Sequence, residues 1–236
     1  MATAPGIKNY ICFMHIKNDA KLAALLAASE ARKRGERPAG DAKGWETRTI
    51  KHDKKMPSEV SVQGGAAQLN LRILGMDTAL RKTGWGIIDV HGKHWTAVDC
   101  GVIVNPPTVS LTDCMRHLNG AIKDLLTKYH PDAVAIEGGF YCKNARTAIV
   151  LGTARGAVLG VLAEAEVPVY EYAPRRAKQV VTGNGTATKE HVARMVSHLL
   201  RIQVENLAND STDALALAIC HAAAVIDPTT DLEQPL

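Results

Sequence analysis

The sequence predicts an α/β fold, a mixed β-sheet of about five strands with helices on both faces. Three observations carry that prediction. Short apolar runs rich in Val and Ile recur between residues 72 and 172, each bounded by turn-forming residues. The first three lie close together, which makes them an antiparallel series with tight connections. The later two are separated by long helical stretches, the pattern of strands that return through helices.

The elements follow in order. Residues 20–34, AKLAALLAASEARKR, are strong helix formers with Leu22, Leu25 and Leu26 at helical spacing. Residues 35–68 are polar, Gly-containing and aperiodic, and read as a linker or disordered segment. A domain boundary is therefore expected near residue 70, giving an N-terminal extension over 1–70, a folded domain over 71–227 and a tail over 228–236. Within the domain, residues 72–77, 83–90 and 93–104 read as strands, with a tight turn at His91-Gly92. Residues 111–129 place Leu111, Met115, Leu118, Ile122 and Leu125 at intervals of three and four, an amphipathic helix. Residues 133–137, AVAIE, form a short strand, and 144–165 a helix rich in Ala and Gly. A further strand-like run, VPVYEY, covers 167–172. Pro174 suits the first turn of the next helix. Thr188 is placed to cap a helix from Lys189, and a last helix runs from about Thr212 to Ile226.

Composition narrows the function classes. Residues 1–70 carry 12 Lys+Arg against 7 Asp+Glu, whereas residues 71–236 carry 16 against 17. Near-neutrality does not exclude a polyanionic ligand, because basic residues can cluster on one face. The five cysteines form no CxxC pair and no Cys/His ligand spacing, which argues against a zinc ribbon and a disulfide framework. No unbroken run of 18 apolar residues occurs and the N-terminus lacks a signal-peptide core, so the expectation is a cytoplasmic protein without a membrane partner.

Chemistry is suggested by carboxylates at particular places. Two strands, 72–77 and 133–137, each end on an acid, Asp77 and Glu137. In open α/β sheets, ligands bind beyond the carboxyl ends of strands. If these strands are neighbours, the two acids face each other at about one strand spacing, ~5 Å. Carboxylates that close repel, and one takes up a proton unless a cation lies between them. The last helix adds Asp210 and Asp213, whose i, i+3 spacing puts both on one face. Four carboxylates without Cys or His make a hard-oxygen donor set suited to Mg²⁺ or Mn²⁺. A pair of such ions roughly 3.5–4 Å apart can activate water and stabilise the leaving oxygen of a phosphodiester. Taken singly, each acid has a bland alternative: a turn residue after a strand, or for Asp210 an N-cap. The combination carries the case.

The segments ILGMD with TGWG, AIEGGFYCKNARTA, LGTARGAV, VYEYAPRRAKQVVTGNGTATKEHV and DSTDALALAICH stand in one order over residues 72–222. In that order and spacing the chain resembles the RuvC family of Holliday-junction resolvases, within the RNase H-like fold. The resemblance puts the family's four metal-binding acids on Asp77, Glu137, Asp210 and Asp213. It implies a homodimer that binds a four-way DNA junction and nicks two strands symmetrically with Mg²⁺, two ions per site, in recombination and repair. A branch-migration motor is a further partner of that kind of enzyme. Phe140 falls where the family has an aromatic that stacks near the crossover, although a core role for it stays open. Lys178 and Lys189 match lysines that contact phosphate or support catalysis. Arg175 and Arg176 can extend that basic face. Lys143, Asn144 and Arg146 lie at the start of a helix, where exposed backbone N–H groups favour phosphate.

The chain departs from the family pattern at Thr78-Ala79, which replaces a Pro-Gly turn. Neither residue readily takes positive φ, so the turn beside Asp77 must differ. Residues 1–70 have no counterpart in the resemblance, and the acidic tail supplies no basic grip for DNA. Another RNase H-like nuclease acting on RNA or other branched DNA, and a junction-binding protein that does not cleave, are the alternative functions.

Overall fold

The computed structural model describes residues 45–48, 70–138, 144–203, 207–226 and 235–236. Its strands are β1 (Trp45–Arg48), β2 (Asn70–Asp77), β3 (Lys82–His91), β4 (His94–Val104), β5 (Ala133–Glu137) and β6 (Val169–Tyr172). Its helices are α1 (Leu111–Tyr129), α2 (Ala145–Glu164), α3 (Pro174–Thr182), α4 (Lys189–Leu200) and α5 (Asn209–Ile226).

The strands form one sheet in the order β1-β4-β3-β2-β5-β6. β2, β3 and β4 are antiparallel neighbours, and the β3–β4 turn uses Gly92 at φ 58°, a left-handed conformation open to glycine. β2 pairs in parallel with β5, and β5 in parallel with β6, each return passing through a helix. The mixed α/β architecture thus follows the sequence pattern from residue 70 onward. The sheet also recruits Trp45–Arg48, which pairs antiparallel with β4 from inside the stretch that reads as linker. An edge strand needs backbone pairing along one side only, so four residues without an apolar run suffice, and charged residues suit such an edge.

Two apolar layers sandwich the sheet. Alternation along β2 and β5 sends Leu74, Met76, Val134 and Ile136 toward α1 and α2, and Ile73 and Ala135 toward α3, α4 and α5. On α1, Leu118, Ile122 and Leu125 are fully buried, each contributing roughly 1.5–3 kcal/mol by removal from water. Caps set the helix ends. The hydroxyls of Ser110 and Thr188 accept from the N–H groups of Asp113 and His191 at the starts of α1 and α4. Pro174 opens α3, and Gly183 at φ 76° closes it.

Two expectations change. The last helix begins at Asn209 rather than near Thr212, so Asp210 lies inside its first turn and not at an N-cap. And α2, though no unbroken apolar run, averages a hydropathy of 1.4 over 18 residues and is long and apolar enough, by length and composition, to cross a membrane. Arg155 interrupts the run without outweighing its Ala, Val, Leu and Ile. Only 22% of that window is buried, on the side that packs against α1, and Ile149 stands 68% exposed on the remainder.

Candidate active site

β2 lies between β3 and β5 in the middle of the sheet, and Ile73, Leu74 and Met76 are fully buried. A strand so confined fixes the position of its last residue, Asp77. The register pairs Met76 with Ile136, so Asp77 and Glu137 are the next residues out on adjacent parallel strands. Alternation turns both side chains to the face covered by α5. The neighbour relation that the sequence leaves conditional is present.

α5 brings Asp210 and Asp213 to the same edge, and it does so by backbone contact with the sheet. A Cβ on Gly75 would fall 1.9 Å from the Ala214 carbonyl oxygen, and one on Gly84 would fall 1.9 Å from that of Asp210. Any side chain at either glycine would lift the helix away from Asp77. Both glycines stand in the segments ILGMD and TGWG that carry the resemblance, and the packing supplies the role that the sequence leaves unassigned.

The turn after Asp77 holds without any left-handed residue at Thr78 or Ala79. Thr83, buried at the start of β3, takes the place of a Pro-Gly turn. Its hydroxyl accepts from the Ala79 N–H at 3.2 Å and donates to the Ala79 carbonyl at 2.5 Å. The buried Asn105 amide donates to the Leu80 carbonyl at 2.7 Å. The substituted turn is thereby tied down on both sides.

Asp77, Glu137, Asp213, Lys178 and Lys189 line one cavity of about 200 Å³, floored by Val192, Ala216 and Leu217. Burial pushes the Asp77 carboxyl up to about 7, reinforced by the charge of Glu137, then Asp213, a hydrogen bond with Glu137, and Asp210. Glu137, Asp213 and Asp210 therefore all act on Asp77. Lys189 Nζ donates to Asp213 Oδ2 at 2.8 Å, and that bond holds the ammonium above the ordinary lysine range. Among the described residues, no three acidic, His or Cys side chains are drawn into a closed ligand set. What the cavity offers is a hard-oxygen donor set whose mutual repulsion the Lys189–Asp213 pair offsets only in part, and a divalent cation fits that chemistry.

The other expected DNA-contacting residues are more scattered. Arg175 packs against Gly185 in the loop after α3, and the Arg176 guanidinium lies 5.8 Å from the centre of the Tyr172 ring. Asn144 caps α2, its Oδ1 accepting from the N–H groups of Arg146 and Thr147, and Arg146 is exposed. Phe140 and Lys143 lie outside the described residues. Two polar clusters around the site were not singled out from the sequence. Tyr172, whose carbonyl accepts from the Gly138 N–H at 2.8 Å, hydrogen-bonds through its hydroxyl to His221 Nδ1 at 2.7 Å. Burial pushes the His221 imidazole down to about 4, so it is neutral and links β6 to α5 without charge. The second cluster is Arg155 with Glu171, beside the end of β5. A single cation in the apolar stretch between Thr147 and Ala163 is the available signal for it.

The family model described as Crossover junction endodeoxyribonuclease RuvC matches residues 73–221. The chain belongs to the RuvC family of crossover junction endodeoxyribonucleases. RuvC of Myxococcus xanthus is 43% identical over 152 residues, covering 64% of this chain and 80% of the relative. That of Maricaulis maris is 44% identical over 154 residues, covering 65% of this chain and 92% of the relative. Among solved structures, T. thermophilus RuvC in complex with Holliday junction substrate aligns with a TM-score of 0.65 at 30% identity, over 70% of this chain and 99% of that one. The RNase H-like reading of the sheet is thus correct, and the matched segment spans all four acids.

Proposed function

We propose that this RuvC-family member resolves four-way DNA junctions by paired, metal-dependent nicks, with Asp77, Glu137, Asp210 and Asp213 as the metal-binding acids. The observation that carries the proposal is geometric: Asp77 and Glu137 end adjacent parallel strands and line one cavity together with Asp213 of α5. Bound among them, Mg²⁺ (or Mn²⁺) supplies an activated water and a counter-charge for the leaving oxygen of the phosphodiester, two ions being the usual complement for that reaction.

The chain's own residues do the rest. β2 and β5 hold two acids rigidly, and α5 sets the other two against them. Lys189 keeps its charge at the cavity mouth through Asp213 and is positioned to hold a phosphate there. Lys178, which also lines the cavity, offers a second cation to the backbone of the nicked strand. Phe140, Lys143, Asn144, Arg146, Arg175 and Arg176 are assigned to DNA contact, with Phe140 stacking on an unpaired base.

A four-way junction has two strands to nick, and the exposed apolar surface of α2, where Ile149 is 68% exposed, supports a homodimer that presents two such cavities. Residues 1–70, with their excess of Lys and Arg, are assigned as an extension that lends β1 to the sheet of the 71–227 nuclease domain, with 228–236 as a tail. The reading puts the protein with DNA in the cytoplasm, and a branch-migration motor is a fitting partner for a resolvase.

The test is strand-resolved cleavage of a synthetic four-way junction beside an RNA–DNA hybrid duplex, with Mg²⁺ or EDTA. Symmetric paired nicks on the junction, absent in EDTA, support the proposal. Cleavage confined to the hybrid would move the protein to RNA, and junction binding with no nicking would make it a binding protein.

A further inference from the structure

Between Thr147 and Ala163 the apolar helix α2 carries a single charge, Arg155. Its side chain is 13% exposed, and a guanidinium so enclosed is costly unless its donors are used. They are used in a specific way. Arg155 Nη1 donates to the main-chain carbonyl of Glu137 at 2.6 Å, and Nη2 donates to Glu171 Oε2 at 2.7 Å. Glu171 sits on β6 beside Ile136, and its side chain lies so close over Gly138 that a Cβ there would come within 2.2 Å of Glu171 Cγ. Arg155, Glu171 and Gly138 therefore form a packed knot where β5 leaves the sheet. α2 covers the sheet face opposite α5, so Arg155 grips the strand end from behind while the Glu137 carboxylate points into the cavity in front.

We propose that Arg155 is a positioning residue for the acidic site. Through the Glu137 carbonyl it fixes the last residue of β5, and Glu171 aims the guanidinium. A planar fork suits this task, because one group must serve a carbonyl and a carboxylate at a fixed angle, which an ammonium on a flexible stem does not do. The inference rests on the reading of Glu137 as a metal-binding acid.

Three variants test it: Arg155→Met, which keeps the stem and its apolar packing; Arg155→Lys, which keeps only the charge; and Glu171→Gln, which leaves Arg155 in place but weakens its aim. Each is measured for thermal midpoint, for Mn²⁺ affinity of the DNA-free protein by calorimetry, and for single-turnover junction cleavage at saturating protein. Outer groups that orient ligands typically alter metal affinity or activity about 10- to 100-fold. The expected result is a loss in that range for Arg155→Met in both affinity and rate per folded molecule, with junction binding in EDTA within about twofold of wild type. Arg155→Lys should recover the thermal midpoint but neither affinity nor rate. Glu171→Gln should show the same losses to a smaller degree.

Wild-type Mn²⁺ affinity and rate in folded Arg155→Met would overturn the proposal, even with a lowered midpoint. Should Arg155→Met not fold, unchanged affinity in Glu171→Gln would overturn it equally. Asp77→Asn run alongside separates the two claims. If it keeps both Mn²⁺ affinity and cleavage, the metal-site reading itself fails. If it loses them while the Arg155 and Glu171 variants do not, only the positioning role fails.

Discussion

Replacing Asp77 by Asn should make the metal-free protein more stable and the enzyme inactive, two effects of opposite sign from one lost charge. The carboxyl titrates near 7 in the folded chain against an ordinary value of 3.8. Because the folded value is the higher one, the native state binds more protons than the unfolded state between about pH 4 and 7, and stability falls as pH rises through that window. The full penalty is present above pH 7. At 1.36 kcal/mol per unit the shift corresponds to about 4 kcal/mol at most, and water in the open cavity and sharing of the proton with Glu137 reduce this to ~1–3 kcal/mol. For a domain of this size that is a rise of roughly 2–10 °C in thermal midpoint for Asp77→Asn at pH 8 in EDTA. The rise should shrink steadily toward pH 4 as wild type regains its proton. The same variant should lose junction cleavage by ~10³-fold, the several kcal/mol a metal ion contributes to charge stabilisation. Differential scanning fluorimetry across pH, with and without Mg²⁺, reads the first effect and single-turnover kinetics the second. A midpoint for Asp77→Asn that is unchanged or lower at pH 8 in EDTA, with the protein folded, would refute the idea that burial and neighbouring charge penalise the ionised Asp77.

Other consequences follow from the same geometry. Gly84→Ala puts a methyl 1.9 Å from the Asp210 carbonyl oxygen and should cost about 1–3 kcal/mol in chemical denaturation while lowering cleavage, because α5 must shift with both its acids. Thr83→Val removes both hydrogen bonds to Ala79 in the turn after Asp77 and should cost about 1–3 kcal/mol, read from the urea midpoint. Lys189→Met frees Asp213 from its 2.8 Å partner and should slow the single-turnover rate by at least roughly tenfold with the thermal midpoint nearly unchanged, since a half-exposed ion pair adds only ~0–1 kcal/mol. Ile149→Asp on the exposed face of α2 should shift sedimentation toward monomer without unfolding the chain.

The sequence announced the sheet and the acids because both rest on local patterns. A run such as Ile73–Met76 ending on Asp77 is visible to anyone counting periods of two, and the Asp210/Asp213 pair to anyone counting turns. It did not announce the edge strand Trp45–Arg48, since a strand recruited by backbone pairing needs no apolar signature. The early start of α5 was hidden because Asn209 and Asp210 are residues that usually precede helices rather than open them. Thr83 in place of a Pro-Gly turn, and Arg155 bonded to a main-chain carbonyl 18 residues earlier, depend on tertiary approach and have no periodic trace. The membrane-length apolarity of α2 was missed for a different reason: one charge ends a run, whereas an average absorbs it.

The central claim is that four carboxylates on two strand ends and one helix hold the divalent ions used to cut DNA. Anomalous diffraction from crystals of the protein grown with Mn²⁺ tests it most directly. Manganese peaks are expected in the cavity within ligand distance of Asp77, Glu137 and at least one of Asp210 and Asp213, lost in crystals of Asp77→Asn. Manganese bound elsewhere on the chain, with these four acids unoccupied at saturating metal, would contradict it.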